Sequence, residues 1–312
     1  MEIEINNLFS IIYPLQPFSI LYLLPSIFMK IIVTHINPDQ DAISSVWLVK
    51  RFFPEWNKAE VKFVPAGKTL NNNPPDNDPE IIHVDTGLGK FDHHTTGDKK
   101  VCAAVKVLAQ IKAKKYIKDK ITVEALGKMA EIVRSVDHAE ERSWPDPMSD
   151  KWEFLLEMIL DGLKTGYGRL QNQELVDFGM MALDGILEAM KGKIVAGAEI
   201  AAGVKFNCQW GKSIGVETGN DMVHRLAERM GFSVVAVKDP KRGNVRIYGH
   251  PDSQVDLTEI HLAVMAGDRE ADWFLHASKK LLLNGSRANP SMRPTKLKLG
   301  EIIEIIKNGD TV

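Results

Sequence analysis

Apolar positions in the first half of the chain switch between two periods. KIIVTH (30–35) is a short unbroken apolar run, the pattern of a strand buried on both faces. From Ala42 to Phe53 the period lengthens, with Ile43, Val46, Trp47, Val49 and Phe53 on one helical face. VKFVP (61–65) and IIHVD (81–85) predict two more strands, separated by the polar loop NNNPPDNDPE. Helical spacing returns over about 100–114 and 122–137, the second with Val123, Leu126, Met129, Ile132, Val133 and Val136 inward. Strands alternating with helices predict an α/β fold: a mainly parallel sheet with helices on both faces.

SWPDPMSD (143–150), with two prolines, breaks this pattern. Two helical stretches, about 152–165 and 171–203, follow without strand signals. Strands resume with VKFNC, SIGVET, SVVAV (233–237) and VRIYG (245–249), with a helix at 219–230 among them. KDPKRGN between the last two is a turn signal for a hairpin. The expected organisation is an N-terminal extension (1–28), an α/β domain (29–150), a helical connector (151–203) and a smaller mixed α/β domain (204–312).

Composition alters this picture only at the N-terminus. The apolar fraction of 44% and charged fraction of 26% are ordinary for a soluble protein. A net charge of -2 gives no global attraction to nucleic acid or anionic membrane. Cys102 and Cys208 lie far apart in no paired motif, as reduced thiols of a cytoplasmic protein do. Residues 8–28 are almost uncharged and long enough to span a membrane. Pro14, Pro17 and Pro25 weaken a continuous helix there, and Glu2 and Glu4 do not suit a signal peptide. Met29-Lys30 stands directly before a strand, which favours a start at Met29 over a membrane anchor. No stable membrane partner is expected.

The candidate chemistry gathers at the ends of these elements. His35, Asp39 and Asp41 follow the first strand, and Asp85 ends the third. FDHH then supplies Asp92, His93 and His94, and the helix 122–137 ends in Asp137. In a parallel α/β sheet, ligands sit beyond the carboxyl ends of the strands, where these residues converge. Singly, each has an ordinary explanation: Asp39 and Asp41 cap a helix, Asp85 opens a turn, paired histidines lie on a surface. Together, several carboxylates and an imidazole in one crevice need cations to neutralise them. Mixed oxygen and imidazole donors suit manganese or magnesium better than zinc. So many ligands favour two ions, which at about 3.5–4 Å apart clamp an in-line displacement at phosphorus.

His35-x-x-x-Asp39-x-Asp41, Asp85, Asp92-His93-His94 and Asp137 resemble, over about residues 31–140, the four-motif signature of the DHH phosphoesterase superfamily. The resemblance implies that His35 and Asp39 bind one manganese ion and Asp41, His93 and Asp137 the other, with Asp85 bridging. It further implies that Asp92 orients a histidine and that His94 faces the substrate phosphate. Only TGLGKF separates Asp85 from the triplet, shorter than in typical members and similar to a branch of metal-dependent hydrolases that includes exonucleases. A hairpin through Gly87 and Gly89 is expected to bring both acids to one site.

Residues 215–249 are similar, more weakly, to the DHHA1 substrate-binding domain that follows the DHH domain, although its glycine-rich histidine motif is not present as such. DWFLHASKKLLLNGSRANP takes its place, offering His276, Ser278, Lys279, Asn284, Ser286 and Arg287 to a phosphate or nucleotide. From Ala277 to Gly300 there are six basic residues and no acid, which favours an anionic ligand as well as it describes a solvated loop. His224 and His261 read as structural.

The function expected is hydrolysis of phosphate esters or anhydrides of a small phosphorylated or nucleotide substrate, with two manganese ions, or magnesium, in the first domain. An exonuclease or oligonucleotide hydrolase is the alternative within the enzyme class; a nucleotide- or metal-binding regulatory protein without turnover is the alternative outside it. The absence of an extended aromatic and basic stripe weighs against a long single strand but leaves short oligonucleotides open. A homodimer is compatible with everything above.

Overall fold

The computed structural model describes residues 29–166 and 168–309. Segment 8–28, on which both the late-start and the anchor readings rest, lies outside the described residues. Among the described residues no helix is long and apolar enough to cross a membrane.

The chain is α/β, with two sheets. The first has three parallel strands, β1 (Ile31–His35), β2 (Glu60–Val64) and β3 (Ile81–His83), in the order β2-β1-β3. Successive strand residues face opposite sides of a sheet, and Ile32, Val33 and Thr34 are all fully buried, so both faces of β1 are covered. β3 is shorter than expected. Its ladder stops at His83, because Asp85 takes a left-handed φ of 52° and turns the chain.

Helix α1 (Gln40–Phe52) buries Ile43, Val46, Trp47 and Val49 as its period requires. Helices α2 (Ala103–Ala113) and α3 (Lys120–Asp137) start later and earlier, respectively, than the apolar pattern suggests; Asp119 caps α3 by accepting from Ile121 and Thr122 N–H. On α3 the buried stripe is Ala125, Leu126, Met129, Ala130 and Val133, while Ile132, expected inside, is 45% exposed.

Helices α4 (Leu156–Thr165) and α5 (Asn172–Ala202) follow. Leu175, Val176, Met180, Leu183 and Leu187 of α5 join the core of the first sheet. Ala196 and Ile200, further along the same helix, pack with Ile214, Val216 and Val235 of the second. Gly179 lets α5 approach α1 closely, since a Cβ there would stand 2.6 Å from Ile43 Cγ2. Trp47 and Arg51 both donate to Asp184 across this contact.

The second sheet has six strands: β4 (Val204–Cys208), β5 (Gly211–Glu217), β6 (Val234–Lys238), β7 (Val245–Gly249), β8 (Phe274–Leu275) and β9 (Leu281–Leu283). Their order is β4-β5-β6-β7-β9-β8, with only β5 and β6 parallel. Helix α6 (Met222–Arg229) joins β5 to β6, and Asp239 shapes the β6–β7 turn by accepting from Lys241 and Arg242 N–H. Strands β8 and β9 and helices α7 (Thr258–Gly267) and α8 (Leu299–Lys307) are additions to the expected elements.

Candidate metal centre

Five chain segments meet beyond the carboxyl end of β1. His35 is the last residue of that strand, and its Nδ1 donates to the Ile36 carbonyl at 2.9 Å, which leaves Nε2 facing the acids. Asp39 caps α1, accepting Ala42 N–H through Oδ1, while its Oδ2 stands 3.8 Å from His35 Nε2. The capping and site readings of Asp39 therefore hold together. Asp41, in the first turn of α1, is 2% exposed. Its two oxygens accept the Ala103 and Ala104 N–H groups at 2.7 and 2.8 Å, so the start of α2 supplies a positive dipole end to a buried acid.

Asp85 occupies the middle. Oδ2 is 3.3 Å from His35 Nε2 and Oδ1 is 3.5 Å from His93 Nε2, so each oxygen faces a different imidazole. The short gap after Asp85 is closed by Asp85 N–H to the Phe91 carbonyl and Asp92 N–H to the Gly89 carbonyl. Gly87 has a φ of 78°, and a Cβ there would come within 2.9 Å of Thr69. The expected hairpin is not formed: Val84 and Phe91 make a single isolated parallel bridge.

No strand runs through the triplet either, so the alternation of an extended chain does not separate its histidines. Their rings lie 4.3 Å apart, and both approach Asp85. Burial and partners distinguish them. His93 is buried, with Nε2 at 3.5, 3.7 and 3.6 Å from Asp85, Asp41 and Asp137. The His94 side chain is 58% exposed, and its Nδ1 donates to Asp92 Oδ1 at 2.8 Å. Asp92 also accepts the Leu88 and His94 N–H groups, and Lys106 donates to its carbonyl.

The spacings around His93 are too long for hydrogen bonds. They lie at or just beyond the roughly 3.0–3.5 Å that separates donors sharing a cation at metal–ligand distances near 2.1 Å. Asp85 Oδ1, His93 Nε2 and Asp137 Oδ2 are buried without any hydrogen-bond partner. Three orphaned acceptors converging in a protein interior are costly unless something positive lies between them. The donor set thus fits hard divalent cations: His35, Asp39 and Asp85 form one potential group, and Asp85 with His93 and His94, and His93 with Asp137 and His138, form two overlapping ones, with Asp41 also 3.7 Å from His93.

Electrostatics follow from the same crowding. Burial pushes the Asp39, Asp41 and Asp137 carboxyls up, and the charge of Asp85 adds to each. Burial opposes ionisation of Asp85 too, yet the His35 and His93 imidazoles beside it bring it down to about 2. Burial lowers His35, but Asp85, the Ile36 carbonyl and Asp39 outweigh it and raise the imidazole to about 9. The Asp85 carboxylate beside it and the charges of Asp137 and Asp41 likewise lift His93 to about 9. Protons on these imidazoles hold positive charge where the acids need it, and a cation displaces them on binding.

Several residues of the site have no counterpart in the sequence motifs. His138 lies 3.7 Å from Asp137, but its Nε2 donates to the Val101 carbonyl. Glu157 of α4 accepts Gln40 N–H, and burial followed by the charge of Asp39 raises it to about 7. Beside the acids opens a cavity of about 530 Å³, walled in part by Glu141, Trp144, Trp152 and Glu157. Glu141 precedes the break at 143–150, Trp144 lies in it, and Trp152 and Glu157 follow it, where no period or spacing marks chemistry.

The residues offered by the second sheet do not form one group. His276, Ser278 and Lys279 lie in the β8–β9 turn, where His276 bonds Ser278 and Lys279 pairs with Asp256. Ser286 and Arg287 lie past the other end of β9, beside Arg242, Arg246 and Asp221 around a cavity of about 310 Å³. Asn284 is fully buried and serves neither. Its amide donates to the Asp272 and Arg293 carbonyls and accepts Thr295 N–H, tying the loops together. The interposed strand β9 is the physical reason the basic segment splits.

No family model matches the chain, and no curated protein does. Among solved structures, an uncharacterized protein from Helicobacter pylori G27 aligns over 90% of this chain and 99% of its own, at 16% identity and a TM-score of 0.26. A DHH domain described as a member of an s1p family of ribosomal proteins aligns over 89% and 86%, at 11% identity and a TM-score of 0.30. RecJ from Thermus thermophilus, in complex with Mg2+, aligns over 89% of this chain at 13% identity and a TM-score of 0.27; the chain spans 49% of its length. Likeness at this level assigns neither family nor activity.

Proposed function

We propose that this chain is a divalent-metal-dependent phosphohydrolase of the DHH type, acting on phosphate esters or anhydrides. The observation that carries the reading is the convergence of three buried, unpartnered atoms, Asp85 Oδ1, His93 Nε2 and Asp137 Oδ2. In this reading His35, Asp39 and Asp85 hold one cation, manganese or magnesium, and Asp41, Asp85, His93 and Asp137 a second. When bound, such ions neutralise a phosphoryl group and make a water nucleophilic at neutral pH.

The protein's own groups then do the rest. Asp92 accepts from His94 Nδ1 and orients the ring, which leaves Nε2 to face the phosphate or the leaving oxygen. Water adds to phosphorus through its oxygen and gives up one proton to solvent, the bond to the leaving oxygen breaks, His94 protonates that oxygen, and solvent returns a proton to His94. Residues 29–150 form the catalytic domain in this account and 204–312 the substrate-binding domain, with 151–203 between them. A manganese-supplemented screen over pyrophosphate, a generic phosphodiester, dinucleotides and short single strands tests the reading. Turnover of at least one, abolished by chelation and restored by manganese, is expected; no metal-dependent turnover of any would refute it.

A further inference from the structure

Trp144 and Trp152 belong to none of the hydrophobic clusters that form the cores. They pair with each other instead, ring centroids 5.7 Å apart and planes tilted by 32°. The loop that carries them is tied down: Trp152 Nε1 donates to the Asp146 carbonyl at 2.7 Å, and Lys151 pairs with the Asp146 carboxylate. Both indoles face the cavity of about 530 Å³ whose other wall is Asp39, Asp41 and Asp137. Val136, Leu155 and Met158 extend its apolar lining. A space of that size is typical of small-molecule sites.

The charges of the lining select the ligand. Glu141, Glu157 and Asp161 add three more carboxylates against the single cation of Arg142. A second phosphate placed there would be repelled by these carboxylates. A neutral planar ring would not; its faces suit the indoles and its N–H edge suits a carboxylate. Glu141, in the lining, keeps its Oε2 without a hydrogen-bond partner. We propose that this cavity binds the planar aromatic group, a nucleobase in its chemistry, of a substrate whose phosphate sits at the Asp85 centre. The proposal rests on the phosphohydrolase reading and narrows its substrate class to nucleotides, in preference to pyrophosphate.

Calorimetric titration of the full chain, in saturating manganese, with adenosine 5′-monophosphate and with ribose 5-phosphate tests this without requiring turnover. The nucleotide is expected to bind at least about tenfold more tightly, the usual worth of stacking a base on an aromatic side chain. Trp144→Leu and Trp152→Leu, which keep apolar volume but remove the ring, should each erase most of that preference and leave ribose 5-phosphate affinity unchanged. Trp144→Phe should retain much of it. Equal affinity for the two ligands, or a preference that survives both leucine variants with intact circular dichroism, overturns the proposal while the metal centre stands. If neither ligand shows manganese-dependent binding but pyrophosphate does, this inference fails and the phosphohydrolase reading stands; if none of the three does, both fail.

Discussion

His93 and His94 are adjacent in the chain, yet the structure gives them different neighbours. His93 Nε2 is buried among three carboxylates, whereas His94 is exposed on one side and held by Asp92 on the other. His94→Ala should therefore keep its metal and lose roughly 10²–10⁴-fold in turnover, the usual worth of a general acid. His93→Ala should lose metal affinity, with part of its rate recovered in excess manganese. A manganese titration of both variants checks this; rescue of His94→Ala instead would reverse the roles. A third histidine offers a test of stability. His224 stacks on Tyr248 at 4.0 Å, and its burial, with Arg225 and Arg246 nearby, lowers it to about 4. Above an unfolded value near 6.5 it is neutral in both states and contributes no pH dependence. As pH falls from about 6.5 toward 4, the unfolded chain takes up a proton that the folded one refuses, so stability drops across that window. Melting temperatures of His224→Phe should fall less steeply between these pH values than those of the unsubstituted chain.

Long, periodic elements were legible in the sequence; short ones were not. The apolar runs of β1, β2, β6 and β7 and the stripe of α1 carry enough residues for a period to show. Strands β8 and β9 have two and three residues, too few for alternation, and their lysine-rich turn reads as a solvated loop. Missing that hairpin placed six residues in one group that β9 separates. Asn284 shows the consequence most clearly, since the same amide that suits a ligand is fully used inside the protein. Asn284→Ala leaves the Asp272 carbonyl and the Thr295 N–H without partners, the Arg293 carbonyl keeping the Asp272 N–H, and should destabilise by about 1–3 kcal/mol for each group left unsatisfied in the interior. Lys279→Ala, on an exposed turn, should change stability by no more than about 0.5 kcal/mol. Chemical denaturation of the two variants distinguishes a structural amide from a ligand contact. The metal-site acids were legible for a different reason: their spacing is fixed by strand ends and helix starts. Trp144, Trp152, Glu141 and Glu157 come from a loop and a helix start that only tertiary packing brings to the centre.

Across the whole molecule, buried acids gather at one place, with Asp41, Asp85 and Asp92 almost fully inside. A net charge of -2 hides a centre in which Asp39, Asp41, Asp85, Asp92 and Asp137 crowd together, with Glu141, Glu157 and Asp161 alongside. Helix α5 packs into the core beneath this centre with one half and into the second sheet with the other, so a single element positions both. Such a centre cannot accept a phosphate until its own charge is balanced. Asp85 is the residue on which that balance turns, because among the described residues it alone faces both His35 and His93. The most direct measurement is the metal content of purified, folded protein by inductively coupled plasma mass spectrometry after dialysis against manganese. The account predicts about two ions per chain in the unsubstituted protein. It predicts near-complete loss in Asp85→Ala, and a smaller loss in Asp137→Ala. Full manganese occupancy in Asp85→Ala, with circular dichroism unchanged, would contradict it.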